Sequence, residues 1–117
     1  MRTPNVINDT IVAPATALGQ GAIGIVRLSG PDVVDIASKI FGSLPEPRYA
    51  SLRTLKTSTG VGFDQAIVLY FPEPASYTGE SMLEIQTHGG RVVIEQLLDV
   101  CTSSGARLAR AGEFSER

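Results

Sequence analysis

The sequence predicts one layered α/β (α+β) domain, a mixed sheet of five or six strands carrying two helices on one face. Three observations point there. The chain has 117 residues, enough for a single core that withdraws about two-thirds of its unfolded surface from water, and short for two. Its hydrophobic share of 43% and charged share of 19% are those of a packed soluble domain, not of a disordered chain. Two stretches with helical periodicity each follow a strand-like stretch and lead into another, the pattern of helices crossing over a sheet. No solenoid-length repeat and no linker divides the chain. Residues 9–117 are therefore expected as one domain behind a flexible tail, residues 1–8.

In chain order, Asp9 to Ala15 and Ala22 to Ser29 read as strands that pair closely across a glycine-containing turn at Leu18 to Gly21. Ser29-Gly30-Pro31-Asp32 then offers a capping hydroxyl and a proline suited to a first helical turn. Val33, Ile36, Ala37 and Ile40 follow on one helical face, and Gly42 ends the helix. Beyond the stiff connector Leu44 to Pro47, Tyr49 to Thr57 and Gln65 to Phe71 read as strands flanking a turn near Gly60 and Gly62. The unbroken apolar run Ala66 to Phe71 predicts a mid-sheet strand covered on both faces. A loop spans Pro72 to Glu80, and Met82 to His88 is a further strand. Arg91 to Ser103 is a helix with Val93, Leu97, Val100 and Cys101 inward, Gly105 stops it, and Ala106 to Arg110 returns as a short last strand. The sheet face away from the helices needs a cover, which is solvent if that face is polar and a second copy of the domain if it is apolar.

Charge and cysteine usage narrow the function. A net charge of −2 lacks the basic excess that carries non-specific nucleic-acid affinity. Cys101, the sole cysteine, forms no internal disulfide, which fits a reducing compartment, and its place on an apolar helix stripe makes it a core residue rather than a nucleophile. The first eight residues contain neither a signal-peptide core nor a membrane span, so the expected location is the cytoplasm. With one histidine, His88, and no cysteine near it, no metal site is expected.

Gly19-Gln20-Gly21-Ala22-Ile23-Gly24 has the spacing of a dinucleotide-binding loop, but that loop works only when its third glycine opens a helix. Here Ile25 to Leu28 reads as a strand, so the glycines are read as a turn. The phosphate-binding G-x-x-x-x-G-K-[ST] pattern does not occur, so these residues do not themselves hydrolyse GTP. Strand alternation gives a sharper signal: Glu84, Gln86 and His88 share one face while Leu83 and Ile85 share the other. Arg27 interrupts an apolar strand, and its charge must meet water, a carboxylate or an anionic ligand. His88-Gly89-Gly90 precedes the last helix and is read first as a strand-to-helix turn, with anion binding as the other option.

Five segments occur in order: Asp9 to Thr16, Gly21 to Gly30, Ser76-Tyr77-Thr78-Gly79-Glu80, His88-Gly89-Gly90 and Gly112 to Arg117. Together they resemble the amino-terminal domain of the MnmE (TrmE) tRNA-modification GTPases, over Asp9 to Arg117. The resemblance implies a fold similar to the folate-binding domains of aminomethyltransferases, pairing of two copies as a homodimer, and binding of a tetrahydrofolate derivative of 5-formyl or methylene type. It places folate contacts on Arg27 and Glu84, with a further lysine contact and a carboxy-terminal contact expected beyond Arg117, and no catalytic residue and no metal in this segment. It further implies a parent enzyme that hydrolyses GTP with magnesium and potassium in a separate domain. That enzyme would act with the flavin-dependent partner MnmG (GidA) on carbon 5 of the wobble uridine of tRNA, with no membrane. Glu84 suits the pterin edge, whose ring N–H and exocyclic amino group form a donor pair that one carboxylate accepts. Arg27 suits either the folate's glutamate carboxylate or a ring carbonyl. The plainer reading of the pair is a cross-strand salt bridge, in a module that only pairs two copies and holds no ligand.

Overall fold

In the computed structural model, which describes residues 9–15, 24–57, 59–88 and 90–117, six strands and three helices alternate along the chain. The strands are β1 (Ile11–Pro14), β2 (Gly24–Ser29), β3 (Ser51–Lys56), β4 (Gly62–Phe71), β5 (Met82–Thr87) and β6 (Arg107–Leu108). The helices are α1 (Val33–Phe41), α2 (Gly90–Ser103) and α3 (Glu113–Glu116). One sheet holds all six strands in the order β3-β4-β5-β2-β1-β6. Every pairing is antiparallel except β1 with β6, so the sheet is mixed, as expected. The expected tail and the turn at Leu18 to Gly21 lie outside the described residues.

Alternation along the strands sorts the side chains into two faces. Val12, Val26, Leu28, Leu55, Ala66, Val68, Tyr70, Leu83 and Ile85 face the helices and are buried there. Each fully buried Leu or Ile contributes about 1.5–3 kcal/mol of hydrophobic stabilisation, which makes this layer the main source of stability. Helix α1 seats Val33, Ile36, Ala37 and Ile40 on it, and Gly42 closes the helix in the left-handed region at φ 82°. Helix α2 buries Ile94, Leu97, Val100 and Cys101. The expected stripe named Val93 where the structure buries Ile94; Val93 is only half-buried, because the helix phase sits about one position further on.

Two further expectations are corrected. Ser29 does not cap α1: it remains in β2 on the face away from the helices, where its hydroxyl bonds Thr78 Oγ1 at 2.7 Å and donates to Glu80 Oε1 at 2.8 Å. The helix start is held instead from the first strand's approach, Asp32 N–H donating to Thr10 Oγ1 at 2.7 Å. Strand β4 is mid-sheet but not covered on both faces, since Ile67, Leu69 and Phe71 are only half-buried. An apolar run on a sheet with one open face looks the same in sequence as one on a sheet covered twice.

Candidate functional site

Cross-strand register builds the floor of a cleft on the face away from the helices. Ala13 stands opposite Arg27, Arg27 opposite Glu84, and Glu84 opposite Leu69, a single row across four strands. Arg27 and Glu84 thus meet directly, with Arg27 Nε donating to Glu84 Oε1 at 3.0 Å. Gln86, two residues along the same face, donates from Nε2 to Glu84 Oε2 at 2.7 Å. Both site residues expected from the sequence are therefore brought together, and the carboxylate that Arg27 needed is Glu84. Arg27 keeps 40% of its side chain exposed and Glu84 16%, so the row is accessible rather than sealed. His88 is exposed just past the end of β5 and lies outside the row.

The next row, Phe71-Met82-Ser29-Ile11-Arg107, is covered by the chain itself. Met82, Ser29 and Ile11 are buried although they face away from the helices. Their cover is the loop 72–81, pinned through Thr78 and Glu80 to Ser29, together with the segment leading into α3. Tyr77 projects from that loop, 70% exposed, with its hydroxyl 3.4 Å from Ser115 Oγ. Tyr77 and Arg27 border two spaces on the open face. The larger, about 350 Å³, lies between Pro14, Arg27, Tyr77 and residues 109–115. The smaller, about 160 Å³, lies between Arg27, Phe71, Tyr77, Met82 and Glu84. Small-molecule sites commonly occupy about 300–1,000 Å³ and combine apolar walls with a few fixed polar groups; the larger space alone reaches that size.

An ionic cluster, absent from the sequence-based site, holds these walls. Arg107 Nε donates to Asp9 Oδ2 at 2.6 Å and Arg107 Nη2 to Glu113 Oε2 at 2.6 Å. Glu113, with 2% of its side chain exposed, also accepts the Arg110 N–H at 2.8 Å. Hydrogen bonding from Arg107 is the main reason the Glu113 carboxyl is pulled down to about 2, and it lowers Asp9 as well. Arg117, 6% exposed, reaches Asp9, Glu80 and Glu113 together. Asp9, Glu80, Glu113 and Arg117 all lie in segments that carry the family resemblance, but no sequence pattern joined them to one another or to Arg107.

The glycine-spaced segment resolves at its far end. Gly24 opens β2 rather than a helix, and a side chain there would sit 2.6 Å from Ile94 Cδ1, so this glycine admits the packing of α2 on the sheet. The rest of that segment, and Gly89 before α2, lie outside the described residues. Cys101 is fully buried, and burial pushes its thiol up to about 12, as suits a core residue.

The family model described as "GTP-binding protein TrmE N-terminus" matches residues 10–117, nearly the whole chain. The chain belongs to that family. Among curated relatives, the tRNA modification GTPase MnmE of Saccharophagus degradans is 54% identical over 94% of this chain and 24% of its own length. The MnmE proteins of Marinomonas sp. and Caulobacter vibrioides are likewise 54% identical, over 93% and 95% of this chain and 24% and 25% of their own lengths. The chain thus spans about a quarter of the relatives it matches. Within the TrmE N-terminal match lie Arg27, Glu84, Tyr77 and all of the 109–115 wall. Among the described residues, no helix is long and apolar enough to cross a membrane.

Proposed function

We propose that the chain is the tetrahydrofolate-binding and self-pairing domain of a tRNA-modifying GTPase, with Glu84 and Arg27 holding a one-carbon tetrahydrofolate. The observation that carries this reading is the Arg27–Glu84 pair, set in register on the open face: both residues line the smaller space beside Tyr77, and Arg27 also lines the larger one walled by Tyr77 and residues 109–115. A carboxylate offers about four lone-pair sites. Arg27 and Gln86 use one on each oxygen of Glu84, so one on each remains for the paired N–H donors of a pterin edge. Tyr77 adds an aromatic wall suited to a flat ring. Two copies pair through the rest of the open face, where Leu52 is 61% exposed beside the half-buried Ile67 and Ile25. The whole protein hydrolyses GTP in another domain and works with MnmG on the wobble uridine of tRNA.

One observation favours a second reading. Both oxygens of Glu84 already have side-chain partners, which is what a purely structural pairing module needs from that residue. Calorimetric titration of the chain with 5-formyltetrahydrofolate separates the two: saturable one-to-one binding supports the folate site, and no heat with an intact fold leaves the structural module.

A further inference from the structure

The two walls of the cleft come from distant parts of the chain, and one side chain joins them. Tyr77 belongs to a tight unit in which Ser76 Oγ donates to the Glu80 carbonyl and Gly79 N–H donates to Ser76 Oγ at 3.0 Å. Wherever Glu80 is anchored, Tyr77 is carried with it. The other wall, residues 109–115, is fixed at Glu113 by the Arg110 N–H and by Arg107. Arg117 spans both: Nη1 donates to Glu80 at 3.2 Å and to the Asp9 carbonyl at 2.8 Å, while Nη2 donates to Asp9 Oδ1 at 3.0 Å and to Glu113 Oε2 at 3.4 Å. It lies outside the residues that line either space. The apolar core is on the opposite face of the sheet, so the contacts of Arg117 serve the cleft side of the domain.

We propose that Arg117 is a positioning residue for the cleft: by clasping Glu80 to Asp9 and Glu113, it sets the spacing between Tyr77 and the 109–115 wall and thereby the affinity for the ligand. This rests on the folate reading for the identity of the ligand, but the clasp itself does not. A planar fork is needed because three carboxylates and a carbonyl approach from different directions; a lysine ammonium supplies the charge as one compact point and holds fewer of them at once. The rim contact of Tyr77 with Ser115 is long, so the base of the loop, held by Ser29 on the sheet and by the clasp toward residues 109–115, sets where Tyr77 stands.

The test uses Arg117→Gln and Arg117→Lys, with Val100→Ala, on the far side of the sheet, as a reference for general destabilisation. Affinity for 5-formyltetrahydrofolate is measured by calorimetry beside thermal melting. Arg117→Gln is expected to weaken binding about ten-fold or more, Arg117→Lys to recover part of it, and Val100→Ala to melt earlier with affinity unchanged. Arg117→Gln binding like the parent chain, or losing no more affinity than the reference, overturns the proposal. The chain has no tryptophan, so Tyr77→Trp gives a single reporter on the loop that needs no ligand. Adding Arg117→Gln to it is expected to change the emission maximum and the access of a neutral quencher, whereas adding Val100→Ala is not. If the parent chain fails to bind the folate, the folate reading falls while the tryptophan still decides the clasp: unchanged emission and quenching overturn it.

Discussion

Replacing Glu84 by alanine removes two contacts at once, the 3.0 Å ion pair with Arg27 and the 2.7 Å hydrogen bond from Gln86. The stability cost is small. Arg27 is 40% exposed, so solvent screens the pair and replaces its lost partner, which limits that contribution to about 1 kcal/mol or less. Gln86 is half-buried and turns to water for about another 0.5 kcal/mol. For a domain of this size the melting temperature then falls by roughly 3–7 °C. The cost to ligand binding is larger, because a carboxylate that accepts two hydrogen bonds in a partly dry site is worth about 1.5–3 kcal/mol, or roughly 10- to 150-fold in affinity. Calorimetric affinity for 5-formyltetrahydrofolate and thermal melting, measured on the same preparation, separate the two effects. A modest fall in melting temperature with unchanged affinity refutes the reasoning and leaves Glu84 as half of a structural salt bridge.

Three further outcomes are expected. Glu113 has a folded value of about 2 against an ordinary 4.5, and Asp9 is lowered too, so their stabilisation is fully present above about pH 5 and is lost as pH falls toward 2. After discounting for screening near the surface it amounts to about 1–2 kcal/mol, and urea midpoints measured across that window should flatten in Glu113→Gln. Gly30→Ala should cost about 3 kcal/mol or more in urea unfolding, because φ is 145° there and the new methyl meets the Thr10 backbone at 2.5 Å; a variant as stable as the parent contradicts this close approach. Cys101, fully buried with its thiol pushed up to about 12, should be inert to a disulfide reagent at pH 8 in the folded chain and react once denaturant is added.

Periodicity made the helices and the strands legible. Val33, Ile36, Ala37 and Ile40 all turn inward, and the alternation of Glu84 and Gln86 against Leu83 and Ile85 assigns both faces of β5. The Arg27–Glu84 meeting was within reach because Arg27 interrupts an apolar strand and Glu84 stands on the polar row of another, although only the register of β2 on β5 sets them opposite each other. What stayed hidden depended on contacts between distant residues. Asp9 and Arg107 are 98 positions apart, and Asp9 and Arg117 are 108 apart, with no local pattern to join them. Short α3 lacks the length for a periodic signal, and its place is set by Glu113 being drawn to Arg107. Ser29 resembles a cap because a serine two residues ahead of a proline fits a helix start whichever way its strand turns it. The burial of Ile11 and Ser29 on the far face came from a loop folding back, which composition does not encode.

The central claim, that this family's amino-terminal domain holds its ligand between the Arg27–Glu84 row and the walls formed by Tyr77 and residues 109–115, is tested most directly by a nuclear magnetic resonance titration of the isotope-labelled chain with 5-formyltetrahydrofolate. The account predicts saturating shifts concentrated on the Arg27 Nε–H, the Gln86 side-chain amide and the backbone of residues 77 and 109–115, with the α2 face unmoved. Saturating shifts centred elsewhere, or an unchanged spectrum at millimolar ligand, contradict it.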